Sequence, residues 1–253
     1  WRDDNPKAIA TSLLNTPAGT SLVATNIRYH ADGTAFDAVY TRADGEQETA
    51  AVRSPLLGQF NVYNLLTALA VGVSQGEVLA KLADACSQLQ PVPGRMEAFQ
   101  NSQSALIVVD YAHTPHALEA VLHALKNLIK GRLLLVFGCG GDRDKEKRPQ
   151  MGRIADEKSD IFWLTNDNPR SEDPLNIIDD IKSGIKSGRS FHLQTNRHKA
   201  IAEALSEAKD GDLVLIAGKG HEKYQIIKDT IMPFDDREVV KKVLSKKTDI
   251  KVT

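Results

Sequence analysis

The later part of the chain alternates between apolar strands and helices, and this alternation restricts the possible folds more than any other feature. The segment Arg132–Phe137 is fully apolar after its first residue, as expected for a strand in a parallel sheet that is covered on both faces. Further strands are predicted at Ala105–Asp110, Asp160–Leu164, Ser190–Leu193 and Asp212–Ala217. Helices are predicted at Pro115–Leu128 with Thr114 as N-cap, Pro149–Lys158, Pro174–Lys186 and Arg197–Lys209. The pattern predicts a doubly wound α/β domain, closed by a hairpin (Tyr224–Ile227 and Thr230–Met232) and a last helix at Asp235–Leu244.

The first ninety residues follow a different pattern. Three segments with alternating or β-branched residues predict an antiparallel meander, at Ser21–Tyr29, Ala35–Thr41 and Glu48–Arg53. The spacing of apolar residues then becomes helical, which predicts helices over Gly58–Gly72 and Gln75–Leu89. The segment Pro91-Val92-Pro93-Gly94 stops helices on both sides and predicts a short, stiff linker. We therefore expect two domains, residues 1–92 and 93–253.

The composition excludes several classes of partner. With 253 residues and a formal net charge of −1, the chain has no basic field that would attract nucleic acid or an anionic membrane. No apolar run approaches the ~20 residues that span a bilayer, and no signal peptide is found. Cys86 and Cys139 lie far apart, which disfavours a structural disulfide and suits a reducing compartment. We expect a cytoplasmic monomer. His113 and His116 have HxxH spacing, but no Cys or carboxylate pair completes a metal site, so no metal-ligating residue is predicted.

The loop between the predicted strand Asp160–Leu164 and the next helix carries the most specific local signal. Asp167-Asn168-Pro169-Arg170 lies beyond the carboxyl end of a strand, where open α/β sheets bind ligands. Pro169 fixes its own φ and favours an extended Asn168, so the stiffened loop can direct Arg170 at a planar carboxylate. The alternative is a helix-entry loop with a solvated arginine.

Two further loops follow strand ends and are rich in glycine and charge. After Phe137 the chain reads GCGGDRDKEKRP, and after Ala217 it reads GKGHE. Neither loop matches a dinucleotide or Walker A pattern, and each could be only a flexible loop or a solvated carboxylate. Taken together with the DNPR loop, however, these two loops are expected to bring Arg143, Arg170 and Glu222 above one sheet. Two guanidiniums and a carboxylate suit a zwitterion, so an amino acid is the predicted ligand.

A fourth group of residues lies near the linker. Arg95 and Asp110 flank the first strand of the α/β domain, and Asn61 and Asn64 lie on the preceding helix. An Asn side chain can pair with the edge of adenine, Arg suits phosphates, and Asp suits ribose hydroxyls. The alternatives are capping roles for Asn64 and Asp110, or a polar residue on a solvated helix face.

The motifs FNVYNLLTALAVG, PGRME, VDYAHTPHAL, VFGCGGDRDKEKRPQMG, TNDNPRSEDP and GKGHEKYQ closely resemble those of the Mur ligases, which build peptidoglycan precursors. The resemblance is strongest to the MurE-type branch, which adds meso-diaminopimelate to UDP-MurNAc-L-Ala-D-Glu with ATP and Mg²⁺. It covers nearly the whole chain, and implies that the end of a central ATPase-type domain precedes a Rossmann-like C-terminal domain.

The resemblance also implies roles for individual residues. Meso-diaminopimelate would be bound by Arg143, Asp167, Asn168, Pro169, Arg170, Gly218 and Glu222. ATP would be bound by Asn61, Asn64, Arg95 and Asp110, with Arg95 and His113 near the reacting phosphates as the catalytic residues. Lysine-adding relatives typically carry a different residue in place of Arg170, since lysine has no second carboxylate.

The sequence departs from the family in one respect. It begins with Trp1 and contains neither a Walker A loop nor the family's modified lysine that supports Mg²⁺. We therefore expect a fragment that lacks its natural start and is inactive as a ligase by itself. Three alternatives stay open: another Mur, folylpolyglutamate or cyanophycin ligase; a dinucleotide-binding oxidoreductase; and a non-catalytic diaminopimelate-binding module.

Overall fold

The computed structural model describes residues 8–11, 20–100, 105–126 and 128–248. The chain divides between Pro91 and Val92 into two compact units. The second unit begins one residue before the predicted domain boundary. Among the described residues, no helix is both long enough and apolar enough to cross a membrane.

The first unit contains a four-stranded antiparallel sheet in the order β1-β2-β3-β4. Buried and partly exposed residues alternate at the start of β2, as expected for a sheet with one face in a core. A register shift interrupts the pairing of β2 with β3 between Thr25 and Arg28, where Asn26 adopts φ +51°. The predicted meander is confirmed, with strands β1 (Ala8–Thr11), β2 (Ser21–His30), β3 (Gly33–Thr41) and β4 (Gln47–Ser54).

Two helices complete this unit, α1 (Gln59–Ser74) and α2 (Leu79–Ala85), the latter continued by a 3₁₀ turn over Cys86–Gln88. The predicted start of the second helix at Gln75 is wrong. Gly76 has φ +87°, and the N–H of Glu77 donates to the carbonyl of Gly72, a pattern that ends a helix. The apolar face of α1 packs into one core with the inward residues of the sheet.

The second unit contains a six-stranded sheet in the order β5-β6-β10-β7-β8-β9. Strand β5 is antiparallel to β6, and the other neighbours pair in parallel. Every residue of β6, β7 and β10 is buried, so both faces of the sheet are covered. The strands are β5 (Glu97–Gln100), β6 (Leu106–Asp110), β7 (Leu133–Phe137), β8 (Ile161–Leu164), β9 (His192–Leu193) and β10 (Leu213–Ala217).

Helices cover this sheet in two groups, since α3, α4 and α5 contact one another in series and α6 contacts α7. One face of the sheet shares a buried core with α6 and α7. The predicted fold class, a doubly wound α/β domain after an antiparallel one, is confirmed, and the closing hairpin forms as β11 (Tyr224–Ile227) and β12 (Thr230–Pro233). The helices are α3 (Pro115–Lys126), α4 (Lys147–Lys158), α5 (Pro174–Lys182), α6 (Arg197–Glu207) and α7 (Asp236–Thr248).

Candidate functional site

Four loops of the second unit meet at one edge of its sheet. Strands β6, β10, β7 and β8 are parallel neighbours, so their carboxyl ends lie side by side. The loops that leave these ends span residues 111–114, 218–223, 138–146 and 165–173. They carry most of the polar residues that the sequence predicted for ligand binding.

Asn168, Lys219 and Glu222 form a hydrogen-bonded triangle between two of these loops. The Nδ2 atom of Asn168 donates to Oε2 of Glu222 at 2.9 Å. The ammonium of Lys219 donates to Oδ1 of Asn168 at 3.0 Å and to Oε2 of Glu222 at 2.9 Å. The backbone N–H of Ile226 also donates to Oδ1 of Asn168, at 3.0 Å. The triangle therefore joins the DNPR loop to the GKGHE loop and to the start of the hairpin.

Glu222 is held in its charged form. Burial by itself would raise the pKa of this carboxyl, but the hydrogen bond and charge of Lys219, with smaller contributions from Asn168 and Arg170, lower the pKa below its ordinary value. The side chain keeps 20% of its surface exposed. Glu222 thus presents a carboxylate at neutral pH that a ligand can reach.

Arg170 is fixed by its backbone as well as by its side chain. It adopts φ +51°, its N–H donates to the carbonyl of Ile226, and its carbonyl accepts from Lys228. Its Nη1 atom donates to the carbonyl of Gly141 at 2.7 Å and more weakly to that of Asn168 at 3.4 Å. Within the described part of the chain no protein group bonds its Nε or Nη2, so one edge of the guanidinium stays open.

Arg143 approaches Arg170 across Gly140. A Cβ atom on Gly140 would stand 2.9 Å from Nη1 of Arg170 and 3.7 Å from Cγ of Arg143. Any side chain at position 140 would therefore displace the guanidinium of Arg170. Arg143 is exposed, and its Nη1 atom donates to the neighbouring carbonyl of Asp142 at 3.0 Å. Both predicted arginines therefore approach Gly140, Arg170 with its Nη1 atom and Arg143 with its Cγ atom.

Asp167, Pro169 and Gly218 form the wall of this region. Asp167 and Pro169 are buried, and Oδ2 of Asp167 would lie only 2.8 Å from a Cβ placed on Gly218. Gly218 has φ +116°, and its N–H donates to the carbonyl of Asp110. Glycine is required here because a side chain would be strained and would meet the carboxylate.

The sequence analysis did not identify Arg148, a buried arginine that contacts the loop of Arg143 and the loop of Arg170. Arg148, on the first turn of α4, has a fully buried side chain and binds both carboxylate oxygens of Glu172, at 2.8 and 2.9 Å. It also donates to Asp180 at 2.9 Å and to the carbonyl of Gly140 at 3.2 Å. The hydrogen bond with Arg148 lowers the pKa of Glu172 to about 2. This network ties the loop after β7 to the loop after β8.

Asp110 is a buried carboxylate that holds the turn before β5. Its oxygens accept from the N–H groups of Met96 and Ala112, both at 2.8 Å, and only 6% of the residue is exposed. Burial raises the pKa of this carboxyl, although the backbone hydrogen bonds and Arg95 act in the opposite direction. Its predicted contact with ribose stays a prediction.

Tyr111 is the centre of a basic group at the same edge of the sheet. The guanidinium of the exposed Arg95 lies 4.4 Å above its ring, and the rings of His113 and His221 lie 4.6 and 5.1 Å away. His113 also contacts the Tyr111 carbonyl through Nδ1, at 2.9 Å, and the ammonium of Lys147 donates to the His113 carbonyl at 2.9 Å. Arg95 and His113, the predicted phosphate contacts, are therefore neighbours.

Asn61 and Asn64 lie on α1 in the first unit. Asn61 donates through Nδ2 to the carbonyl of Leu57 at 2.7 Å, and Asn64 donates through Nδ2 to Oδ1 of Asn61 at 3.1 Å. Asn64 is exposed, so its amide oxygen is available for a hydrogen bond with a ligand. Its predicted contact with adenine stays a prediction.

Comparison with protein families identifies the chain. Residues 94–220 match the glutamate ligase domain of the Mur ligases, and residues 2–72 match the Mur ligase middle domain. The chain belongs to the Mur ligase family. The resemblance predicted from the sequence motifs is confirmed.

Its relatives among the Mur ligases include two proteins named UDP-N-acetylmuramoyl-L-alanyl-D-glutamate–2,6-diaminopimelate ligase. The one from Gloeobacter violaceus is 52% identical over 78% of this chain and 41% of its own length. The one from Bacillus licheniformis is 45% identical over 88% of this chain and 44% of its own length. A solved structure of a ligase with the same name is 42% identical, with a TM-score of 0.68, and is covered over 45% of its length. The Mur ligase chain described here thus spans less than half the length of these relatives.

Proposed function

We propose that the protein takes part in the ATP-dependent amide ligation that adds meso-diaminopimelate to UDP-MurNAc-L-Ala-D-Glu. The observation that carries the proposal is that Arg143 and Arg170 both approach Gly140 at the edge of the sheet where Asn168 also binds Glu222. The names of the relatives, at 45–52% identity, support the same reaction. Because the reaction consumes ATP, the proposal includes a cytoplasmic location.

The pocket would bind the distal end of the amino acid, which carries one carboxylate and one ammonium. The open edge of the Arg170 guanidinium and the exposed Arg143 would bind the carboxylate. Glu222 would bind the ammonium, and Asn168 and Asp167 would complete the wall around it. The other amino group of the ligand would then be free to react. Lysine, which has no distal carboxylate, would leave Arg170 without a partner.

The nucleotide would be bound by the second set of predicted residues. Asp110 would contact the ribose through the lone pairs that Met96 and Ala112 leave free. Arg95 and His113 would lie nearest to the phosphates. The ring of Tyr111 would orient the Arg95 guanidinium without removing any of its N–H donors.

In the proposed chemistry, the γ-carboxylate of the D-glutamyl residue attacks the terminal phosphoryl group of ATP and becomes an acyl phosphate, and ADP leaves. The free, unprotonated amine of diaminopimelate attacks the carbonyl carbon of this acyl phosphate. The tetrahedral intermediate then loses a proton from nitrogen and expels phosphate, which leaves the amide. Negative charge develops on oxygen in each step, and Arg95 would stabilise it by donating hydrogen bonds. Arg143, Arg170 and Glu222 would contribute by fixing the position of the amine.

Mg²⁺, when bound, would neutralise phosphate charge. In the part of the chain that the structure describes, no group of three His, Cys, Asp or Glu residues lies together. The described residues therefore do not fit a magnesium site of that kind, and the roles given above need none of them to bind the ion.

Calorimetry with meso-diaminopimelate tests the proposal. The wild-type chain should bind meso-diaminopimelate and should prefer it to L-lysine. The variant Arg170→Ala should lose roughly 2–5 kcal/mol of binding free energy, because it leaves a desolvated carboxylate unpaired. Arg153→Ala, at an exposed position on α4, is the matched control and should bind like the wild type. Equal affinity for the two amino acids, or no loss in Arg170→Ala, would overturn the proposal.

A further inference from the structure

Lys219 is a fully buried lysine at the centre of the Asn168–Glu222 network, with 0% of its side chain exposed. Lysine is almost never fully buried unless its charge is paired. Its neighbours Gly218 and Gly220 adopt φ +116° and +52°, which lets the chain turn the lysine inward. No role for this residue follows from the sequence motifs, and a ligand in the pocket cannot touch it directly.

Lys219 decides how the Asn168 amide is oriented. An ammonium group only donates hydrogen bonds, so the atom of Asn168 that faces Lys219 must be the oxygen. The N–H of Ile226 donates to the same oxygen. The amide nitrogen is thereby directed at Glu222. Without Lys219, one of the two donors that enforce this orientation is lost.

Lys219 also decides which oxygen of Glu222 a ligand can use. Oε2 accepts from both Lys219 and Asn168. Oε1 accepts from no other residue in the described part of the chain, and the side chain is partly exposed. The ammonium of a ligand would therefore meet Oε1, in a direction that the two bonds to Oε2 define.

The charge of Lys219 also affects which ligand ends the site favours. Three cations act on Glu222: Lys219 and Arg170, whose charges lower its pKa, and the buried Arg197. A ligand end with both a carboxylate and an ammonium gains from both signs. A ligand end with only an ammonium gains from Glu222 but is repelled by the cations, and Lys219 offsets part of the attraction of Glu222.

We propose that Lys219 is a positioning and specificity-determining residue of the amino-acid pocket, which orients Asn168 and Glu222 and disfavours ligand ends that carry an ammonium without a carboxylate. The inference rests on the proposed function. It competes with a simpler role, in which the Lys219–Glu222 ion pair only stabilises the loop.

Three variants separate these roles. Lys219→Met keeps the apolar stem and removes the charge and the donors, whereas Lys219→Gln removes the charge but keeps a donor for Asn168. Lys223→Met is the matched control, because Lys223 is an exposed lysine on the same loop. Each variant is checked for folding by circular dichroism, and its affinity for meso-diaminopimelate and for L-lysine is measured by calorimetry.

We expect Lys219→Met to bind meso-diaminopimelate roughly tenfold to a hundredfold more weakly, the effect of losing hydrogen bonds to a charged group. The ratio of the affinity for meso-diaminopimelate to the affinity for L-lysine should fall in both Lys219 variants. Lys223→Met should have the same two affinities as the wild type. A folded Lys219→Met or Lys219→Gln with unchanged affinities would overturn the inference. Equal losses for both amino acids would overturn the specificity role, and failure of both variants to fold would support the simpler stabilising role instead.

A second measurement needs no ligand. Carbon-13 NMR of the Glu222 carboxyl should show a higher pKa in Lys219→Met, and the Asn168 amide protons should change their chemical shifts. Unchanged Glu222 and Asn168 signals would overturn the positioning role. If the wild type binds neither amino acid, the proposed function fails, and the NMR result still decides whether Lys219 positions these two side chains.

Discussion

Removal of one partner from the buried ion pair between Arg197 and Asp236 should destabilise the second unit more than the loss of an exposed ion pair. Nε and Nη2 of Arg197 donate to the two oxygens of Asp236, both at 2.8 Å, and neither side chain is exposed. Nη2 of Arg197 also donates to the carbonyl of Ala217 at 2.9 Å, at the end of β10. Burial alone would lower the pKa of Arg197, but the charge and hydrogen bonds of Asp236 outweigh it and raise the pKa. Arg197 is therefore charged in the folded protein.

Removing one partner leaves the other charge buried without compensation, which typically costs about 3–5 kcal/mol. We expect Arg197→Met and Asp236→Asn each to lower the free energy of unfolding by that amount. The double variant carries no buried charge at this place. It should therefore lose clearly less than the sum of the two single losses, because the cycle isolates the interaction between the two residues.

Guanidinium denaturation followed by the fluorescence of Trp163, which is buried in the second unit, measures these losses. Trp1 is replaced by Phe in every variant so that Trp163 alone reports. A single-variant loss below about 1 kcal/mol, the range of exposed ion pairs, would refute the reasoning. Additive losses in the double variant would refute it as well.

Two other predictions concern the loops that form the candidate site. The pKa of Glu172 is depressed to about 2 in the folded state by Arg148, so its stabilising contribution is complete above its ordinary pKa and is lost as the pH falls toward 2. Glu172→Gln should lower the free energy of unfolding by about 1–3 kcal/mol at neutral pH. It should also make the free energy of unfolding less dependent on pH in the acid range, as measured by denaturation between pH 2 and 7. Gly94→Ala should destabilise more than Gly211→Ala. Both glycines have positive φ, which costs about 1–3 kcal/mol for alanine. The two sites differ in the space around a new Cβ atom. At Gly94 this atom would lie 2.1 Å from the carbonyl carbon of Gly220, whereas at Gly211 it would point into open space. Equal melting temperatures for the two variants would contradict this.

Most of the fold could be predicted because its elements are strongly periodic. The buried parallel strands are continuous apolar runs, and α3, α5 and α6 follow capping residues such as Thr114, whose hydroxyl accepts from the N–H of Ala117. Helix α4 begins at Lys147 without a side-chain cap, two residues before its predicted start at Pro149. The two missed strands, β1 and β5, have only four residues each. Short edge strands such as β5 carry little pattern because their pairing partners are distant in sequence.

The site could be predicted in part, for a related reason. Parallel strands place their carboxyl-end loops at the same edge, so Arg143, Arg170 and Glu222 were expected close together, and the structure brings their loops together. Lys219 and Arg148 were missed, because charged residues are normally exposed. Asn168 lies 51 positions from Lys219, and Glu172 lies 24 positions from Arg148, so local spacing indicates neither of these pairings. Glu222 lies only three positions from Lys219, but that spacing alone does not indicate that the lysine is buried.

The strand order has a consequence for the folding of the chain during synthesis. Strand β10 is the last strand of the six-stranded sheet to be synthesised, yet it lies between β6 and β7. Until it is inserted, β6 and β7 have no neighbour on one side, and the GKGHE segment has no anchor. The emerging polypeptide should therefore expose apolar strand edges until about residue 217 has left the ribosome. The candidate site would form only after β10 and the GKGHE segment have joined the sheet.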